Sequence, residues 1–532
     1  MQGRRVEGNR ERREAIYREE LLRRAHEKSK KKKGGHGKLI AVLVVLILIA
    51  GGVLGGVILF KKNNPFMKPG EVSFDSSLSS EYKTIIENNI EAWKNSGNKI
   101  NYDITYSEKV VYSMSEAKEN DILVKIEVPT VDFYDSELNV TSAESKTDVV
   151  SWVDYKKLTA EDRVVSIDNN YFFDSVENGA KYTYISYETS SDKNTAIWLV
   201  GNGQSLDELP AKASDFLSFA QTGVTALTRA MTITLNGRAG GRGSYFADNI
   251  KDFLASKDLT HISNEVSFID GCKGSTGTMS LCADWRALDT ITAIGTDIVE
   301  LTGNHNNNYG TEANIKTIEK YHELGMKTVG GGINEEEAAK VLELDEKGNK
   351  INFLAYNHST STVGNGELAS GSRPGANGYS ETKAKADIKA AKERGGIIIV
   401  DIQYSECYSY PDGYVEMPSC DKPISGQQAF FRQFIDWGAD VVIGTQAHHP
   451  QTFEYYEDKP IYYGLGNLFF DQTYWPGTQR GYILTHYFKD GKLLNTRISP
   501  TFYDEKHQVY LTDEATSEKF IARLIESSPK GK

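Results

Sequence analysis

The chain has 532 residues, 39% apolar and 25% charged, with a formal net charge of −12 at pH 7. That length exceeds one ordinary core and implies about two to four domains, while the composition is that of a soluble globular protein apart from one segment. Setting aside the basic first 38 residues leaves the remainder at −20, a surface that excludes nucleic acid and anionic lipid as partners for the bulk of the chain.

Residues 1–38 carry 14 Lys or Arg against 6 Glu. Residues 39–60 follow with no charge, about 33 Å if helical, which matches the hydrocarbon thickness of a bilayer. The rival reading is a signal peptide, but the run is longer than a signal core and no small-x-small cleavage site precedes Lys61-Lys62. The expectation is a single-pass anchor with a cytoplasmic N-terminus and everything after Phe60 outside the membrane. Gly51, Gly52, Gly55 and Gly56 form small-xxx-small pairs that would allow a homodimer through the anchor.

A polar linker at 61–79 leads into a helix from about 80 to 95, with Tyr82, Ile85, Ile86, Ile90 and Trp93 at core spacing. Short alternating strands are expected at 102–106, 122–128, 149–153, 182–187 and 196–200. Residues 80–215 therefore read as a small α/β or α+β domain, which contains no histidine and no phosphate loop. Helical spacing at 211–220 leads to the second domain, residues 216–505, where strand and helix alternate as in a layered α/β domain. Helices are expected at about 285–294, 381–394 and 425–437, strands at 297–301, 351–356 and 397–402, and closing strands at 481–501. Residues 506–532 read as a tail. All four cysteines, Cys272, Cys282, Cys407 and Cys420, lie on the outer side. An even number in an exported domain suggests disulfides; three pairings are open, of which 272–282 with 407–420 is the most local, and four free thiols is the alternative. No C-x2-C spacing points to zinc.

Two stretches carry the chemistry. In Val441-Val442-Ile443-Gly444-Thr445-Gln446-Ala447-His448-His449-Pro450 a buried strand runs into glycine and then paired imidazoles, and Gly464-Leu465-Gly466-Asn467-Leu468-Phe469-Phe470-Asp471 follows closely. Upstream, Val299-Glu300-Leu301-Thr302-Gly303-Asn304-His305-Asn306-Asn307-Asn308-Tyr309-Gly310 repeats the design. Asn467 and Asp471 read as loop-holding residues, and Tyr462, Tyr463, Phe469 and Phe470 as core.

At these residues, from about Gly223 to about Phe502, the sequence resembles the CapA family, bacterial envelope proteins of poly-γ-glutamate capsule synthesis. The resemblance implies a metallophosphatase-like layered α/β sandwich. It also implies metal ligands at Glu265 (Ser263-Asn264-Glu265 falls where the family carries Asn-x-Glu), Asn304, His305 and His448, with His305, Glu406, His448 and His449 as candidate catalytic residues; Arg229 reads either as a contact for an anionic substrate or as the partner of an internal carboxylate. The family's G-D-x-M-x-x-R begins here as Gly223-Val224, its N-N-H-x-x-D-Y-G carries Asn308 in place of Asp, and its H-W-G-x-E is Gln403-Tyr404-Ser405-Glu406. With Val224, Gln403 and Gln446 at three ligand positions, a two-metal centre is not expected, and at most one Mn or Zn ion is. The implied function is a membrane-anchored protein in synthesis or attachment of poly-γ-glutamate or a related polymer, with other membrane polymer-synthesis proteins as partners. The alternatives are a metal-dependent hydrolase of envelope phosphoester or amide bonds, or a polymer-binding module on a degenerate scaffold.

Overall fold

The computed structural model describes residues 69–141, 149–190, 193–201, 215–358, 366–407 and 419–529. The basic tail, the apolar span at 39–60 and linker residues 61–68 lie outside the described residues; the rest of the expected linker holds a short strand, Val72–Phe74, paired parallel with residues 104–106. Among the described residues no helix is long and apolar enough to cross a membrane. These residues fall into two compact units.

The smaller unit holds the described residues up to Val111, Ala117–Val124 and those from Thr183 to Gly201. Its core gathers Ile86, Ile104, Tyr106, Ile122, Ile185 and Leu199. The helix Ser80–Asn95 has the expected bounds, but Ile85 is 38% exposed. The inward position falls to Asn89, whose Nδ2 donates to the Leu199 carbonyl at 2.8 Å. The strand expected at 196–200 is instead part of the helix Lys193–Gly201. A five-residue apolar run fits either element, and the i, i+3, i+4 burial of Ala196, Leu199 and Val200 settles it as helix.

The larger unit holds Tyr112–Glu116, Lys125–Tyr182 and the described residues from Asp215 onward. Lys125–Tyr182 thus clusters with the second half of the sequence: the Tyr171 hydroxyl donates to Asn495 Oδ1 at 2.6 Å, and Phe173 stacks on Tyr487. Two sheets form its centre. The first runs in the spatial order Lys327–Val329, Ile298–Glu300, Leu259–Asn264 and Leu217–Gln221, all parallel, and then antiparallel through Arg480–Lys489, Lys492–Tyr503 and Val509–Leu511. The second places Asn349–Asn357, Ile397–Gln403, Val441–Thr445 and Lys459–Tyr462 parallel, with an antiparallel strand at each edge.

One apolar cluster, with Leu217, Phe219 and Ile298 from the first sheet and Phe353, Ile399, Val441 and Ile443 from the second, lies between the sheets. Helices Leu288–Ala293 and Thr311–Glu323 cover the outer face of the first sheet. Glu381–Arg394 and Gln427–Trp437 cover that of the second. The result is a helix, sheet, sheet, helix sandwich, and the parallel strands are buried on both faces, which explains their continuous apolar runs. The helical spacing at 211–220 gives way to the strand Leu217–Gln221 for the same reason: Leu217 and Phe219 face the inter-sheet core while Ala220 faces outward into the helix layer.

Helix Glu381–Arg394 starts where Ser380 Oγ accepts the Lys383 N–H at 3.3 Å, a cap worth about 1 kcal/mol, and stops at Gly395 with φ 76°. Beyond residue 505, Val509–Leu511 adds a strand and Glu514–Glu526 a helix whose Phe520, Ile521 and Leu524 close the inter-sheet core. The cysteines pair locally, Cys272 with Cys282 and Cys407 with Cys420.

Candidate functional site

The site sits where the parallel strands end, the place where open α/β sheets hold ligands. Leu259–Asn264 delivers Glu265, Ile298–Glu300 runs on to Asn304 and His305, Ile397–Gln403 ends in Gln403, and Val441–Thr445 is followed by Gln446 and His448. Two glycines let these ends approach one another. A Cβ on Gly223 would lie 1.9 Å from the Gly466 carbonyl oxygen, and one on Gly444 would lie 1.9 Å from that of Tyr463.

His305, Glu406 and His448 line one pocket of about 220 Å³ together with Arg229, Phe470 and Asp471. Its mouth comes from two loops. Thr276, Met279 and Leu281 belong to the loop closed by Cys272–Cys282, and Tyr474 and Trp475 follow Asp471. Met279 is 64% exposed and Tyr474 86% exposed, so the lip is apolar and open to solvent.

Both imidazoles are held in one tautomer. The Asn308 amide oxygen lies 2.8 Å from His305 Nδ1 and also accepts the Leu281 N–H at 2.9 Å, while Asn308 Nδ2 donates to Glu367 at 2.9 Å. With the amide pinned this way round, His305 Nδ1 must carry the proton. The Asn467 amide oxygen faces His448 Nδ1 at 2.9 Å, and Asn467 Nδ2 donates to Gln472 Oε1 and to the Thr478 carbonyl, each at 3.0 Å. Each ring therefore keeps its lone pair on Nε2. Burial pushes the His305 pKa down and that of His448 down to about 4, so both rings are neutral at pH 7.

The replaced ligand positions have acquired other work. Val224 is buried in the core outside the first sheet. Gln403 Nε2 donates to Asn304 Oδ1 at 3.2 Å and also to Gln446 Oε1, and Gln403 Oε1 accepts from Asn357 Nδ2 at 3.0 Å. Gln446 Nε2 in turn donates to Glu406 at 3.2 Å. Asn304 is thereby engaged as an acceptor within an amide chain. Glu265 is buried, and burial, then the nearby Glu406 and Glu300, raise its carboxyl well above the usual range. Among the described residues no group of three or more His, Cys, Asp or Glu side chains converges to hold a metal ion. As arranged, Glu265, Asn304, His305 and His448 do not fit as the ligand set that the resemblance implies.

Arg229 lies in the pocket but is spent on the protein. Its Nε donates to both Asp471 oxygens at 3.1 and 3.0 Å, Nη2 adds a further bond, and Asp471 also accepts the Ala230 N–H at 3.0 Å. Its backbone φ of +47°, unusual for a residue with a side chain, turns the chain so that both donors meet one carboxylate. His449 points elsewhere: its Nε2 lies 3.1 Å from Asp421, and the two line a separate small pocket with Arg480 and Arg523. Adjacent imidazoles thus serve different places. Glu367, Asn357 and the imidazole-holding role of Asn467 were not singled out from sequence. The signals available were the Asn three residues after His305 and Asn467 within the stretch 464–471.

Residues 218–472, which hold every lining side chain of this pocket except those at 474 and 475, match the family described as bacterial capsule synthesis protein PGA_cap. The chain is 23% identical over 255 residues to the capsule biosynthesis protein CapA of Bacillus anthracis, covering 47% of this chain and 58% of that one. It is 21% identical over 266 residues to the PGA biosynthesis protein CapA of Bacillus subtilis, covering 50% and 66%. A probable polyglutamine synthesis accessory protein of Mycobacterium tuberculosis is 28% identical over 187 residues, covering 34% and 46%. The chain thus spans less than two thirds of the length of these relatives. Among solved structures, the NAD nucleotidase of Haemophilus influenzae aligns over 55% of this chain and 56% of that one at 12% identity, with a TM-score of 0.29, too low to carry an argument.

Proposed function

Residues 218–472 are a domain of the CapA family, and from that premise we propose that the protein acts outside the membrane in the synthesis or attachment of poly-γ-glutamate or a related anionic envelope polymer. The carrying observation is that the family match coincides with the residues that build the pocket, including both tautomer-locked histidines. The two helix-covered sheets, with the pocket at the ends of their parallel strands, support a metallophosphatase-like scaffold. The uncharged stretch at 39–60 and the basic residues before it support a single-pass anchor with a cytoplasmic N-terminus. Other membrane proteins of polymer synthesis are its expected partners, and the anchor's glycines support a homodimer.

On the chain's own residues, the pocket is a holding device. Two neutral imidazoles offer Nε2 acceptors at fixed positions, Glu406 adds a carboxylate, and the Met279, Tyr474 and Trp475 lip packs the ligand's apolar part. At the family's ligand positions, Gln403, Gln446 and Asn304 are tied into an amide chain that Asn357 extends, so these residues hold one another rather than a metal ion. A second reading, hydrolysis of envelope phosphoester or amide bonds, is favoured by the imidazole pair, whose Nε2 lone pairs suit proton abstraction.

Deleting the gene should reduce a surface polymer, and the parent gene should restore it while His305→Ala/His448→Ala does not. No change in any surface polymer on deletion counts against the proposal. Hydrolysis of γ-glutamyl or phosphoester substrates by the purified protein, abolished by the same pair of substitutions, would favour the second reading.

A further inference from the structure

The second disulfide joins two irregular stretches beside the pocket. Cys407 directly follows Glu406, which lines the pocket, and belongs to residues 404–407, which form neither helix nor strand. Cys420 sits in the short 3₁₀ turn Ser419–Asp421. Neither stretch is part of a long helix or a sheet ladder, so each depends on its cross-links for its place.

Both ends of the bridge are fastened to the stretch that carries His448. The Cys407 carbonyl accepts the His449 N–H at 3.2 Å, and Ala447 packs with both cysteines and Ile424 in a small apolar cluster. On the Cys420 side, the Asp421 carbonyl accepts the Thr452 N–H at 2.9 Å, Asp421 Oδ1 lies 3.1 Å from His449 Nε2, and the Lys422 carbonyl accepts from Gln451 Nε2 at 3.0 Å. His448 therefore stands between two residues, Ala447 and His449, that both touch the bridge or its flanks. Glu406 is joined to the same stretch by Gln446, whose Nε2 donates to it at 3.2 Å. One covalent link thus gathers pocket residues from two different strand ends.

We infer that the Cys407–Cys420 bridge is a positioning element of the pocket: the oxidised chain holds Glu406 and His448 in place, and the dithiol chain does not. Forming the bridge removes two electrons and two protons from the paired thiols, which pass by thiol exchange to a disulfide oxidant. A chain that has not met an oxidising compartment then carries an unassembled pocket, so polymer handling begins only after export. That last step rests on the function and location proposed above; the coupling of bridge to pocket does not.

The test is hydrogen exchange of backbone amides in the full-length protein in detergent, read by mass spectrometry. Peptides covering 446–452 report the pocket stretch, and the buried strand Leu259–Asn264 reports the domain as a whole. The starting protein is Cys272→Ser/Cys282→Ser, which keeps Cys407–Cys420 and loses the bridge of the lip loop. Dithiothreitol gives the remaining bridge two electrons and two protons, leaving two thiols on the chain and the reagent as its cyclic disulfide. Exchange at 446–452 should rise about tenfold or more on reduction, return on reoxidation, and leave 259–264 unchanged. No rise at 446–452 overturns the inference, and so does an equal rise at 259–264, which would make the bridge a general stabiliser. Should the starting variant not fold, Cys407→Ala/Cys420→Ala, which keeps Cys272–Cys282, is compared with the parent on the same peptides and judged by the same outcomes. Thiol alkylation of intact cells reads the export step separately. Cys407 and Cys420 should resist it in the surface chain, and free thiols there would overturn the export step while the exchange data decide the coupling.

Discussion

Arg229→Met asks whether the guanidinium serves the fold or the ligand. In the parent it makes a forked contact with Asp471, the two side chains being only 15% and 6% exposed, and it lies 5.3 Å from the centre of the Phe470 ring. Removing it leaves a nearly buried carboxylate held by the Ala230 N–H at 3.0 Å. Breaking one side of a buried pair costs about 3–5 kcal/mol, and the residual exposure of the arginine places this case near 3 kcal/mol. Asp471→Asn keeps one acceptor oxygen but turns an amide N–H2 toward the other donor, and should cost about 2–3 kcal/mol. The double variant leaves no charge stranded, so it should be at least about 1 kcal/mol more stable than the sum of the single losses implies. Urea unfolding, read as a shift in midpoint at constant slope, measures all three. If Arg229→Met unfolds within about 0.5 kcal/mol of the parent, the ion pair is not structural and the assignment of Arg229 to the fold is refuted.

Three further outcomes are expected. Because the His448 pKa lies near 4 in the folded chain, below its ordinary 6.5, the unfolded chain binds this proton more readily. Its contribution to stability is full above pH 6.5 and is lost as pH falls toward 4, up to about 3 kcal/mol. The stability difference between parent and His448→Gln should shrink over that window. Taking the difference cancels Asp421, whose pKa burial raises to about 7 and whose contribution runs the other way, being lost as pH rises through 7. Replacing Cys272 and Cys282 by serine opens a bridge between residues 10 apart and should cost about 3 kcal/mol, seen as a lower melting temperature. Finally, Val224→Asp with Gln403→His and Gln446→His should give a chain that retains more manganese or zinc through desalting than the parent does. Elemental analysis showing equal metal would mean that these three positions do not account for the missing ligand set.

Much of the helix and strand order of residues 216–505 could be read because strands such as Ile298–Glu300, Ile397–Gln403 and Val441–Thr445 are short and largely apolar, while Leu259–Asn264, with polar residues inside it, was not. Where a run was brief, as at 196–200, sequence could not separate strand from helix, since only packing fixes which period is buried. The pocket was half legible. His305 and His448 stood out because each follows a strand within a long motif. The Arg229 and Asp471 pairing could not be seen across 242 positions, nor could the amide chain through Asn357, whose partners lie on different strands. His448 and His449, beyond the end of the strand, meet different partners, Asn467 and Asp421, and their adjacency in sequence hid it. The 506–532 stretch lacked strong apolar runs, so a strand and a helix that close the central core passed for a tail.

The two bridges join residues only 10 and 13 positions apart. For a chain exported as proposed, both members of each pair leave the translocation pore within moments of one another. A crossed pairing such as Cys272 with Cys407 would have to close a loop roughly tenfold longer, at an entropic disadvantage of about 2 kcal/mol or some thirtyfold in population. Correct oxidation is thus favoured by order of emergence and by proximity, before either sheet is complete. The lip of the pocket can be fixed early, without a shuffling catalyst to repair distant mismatches.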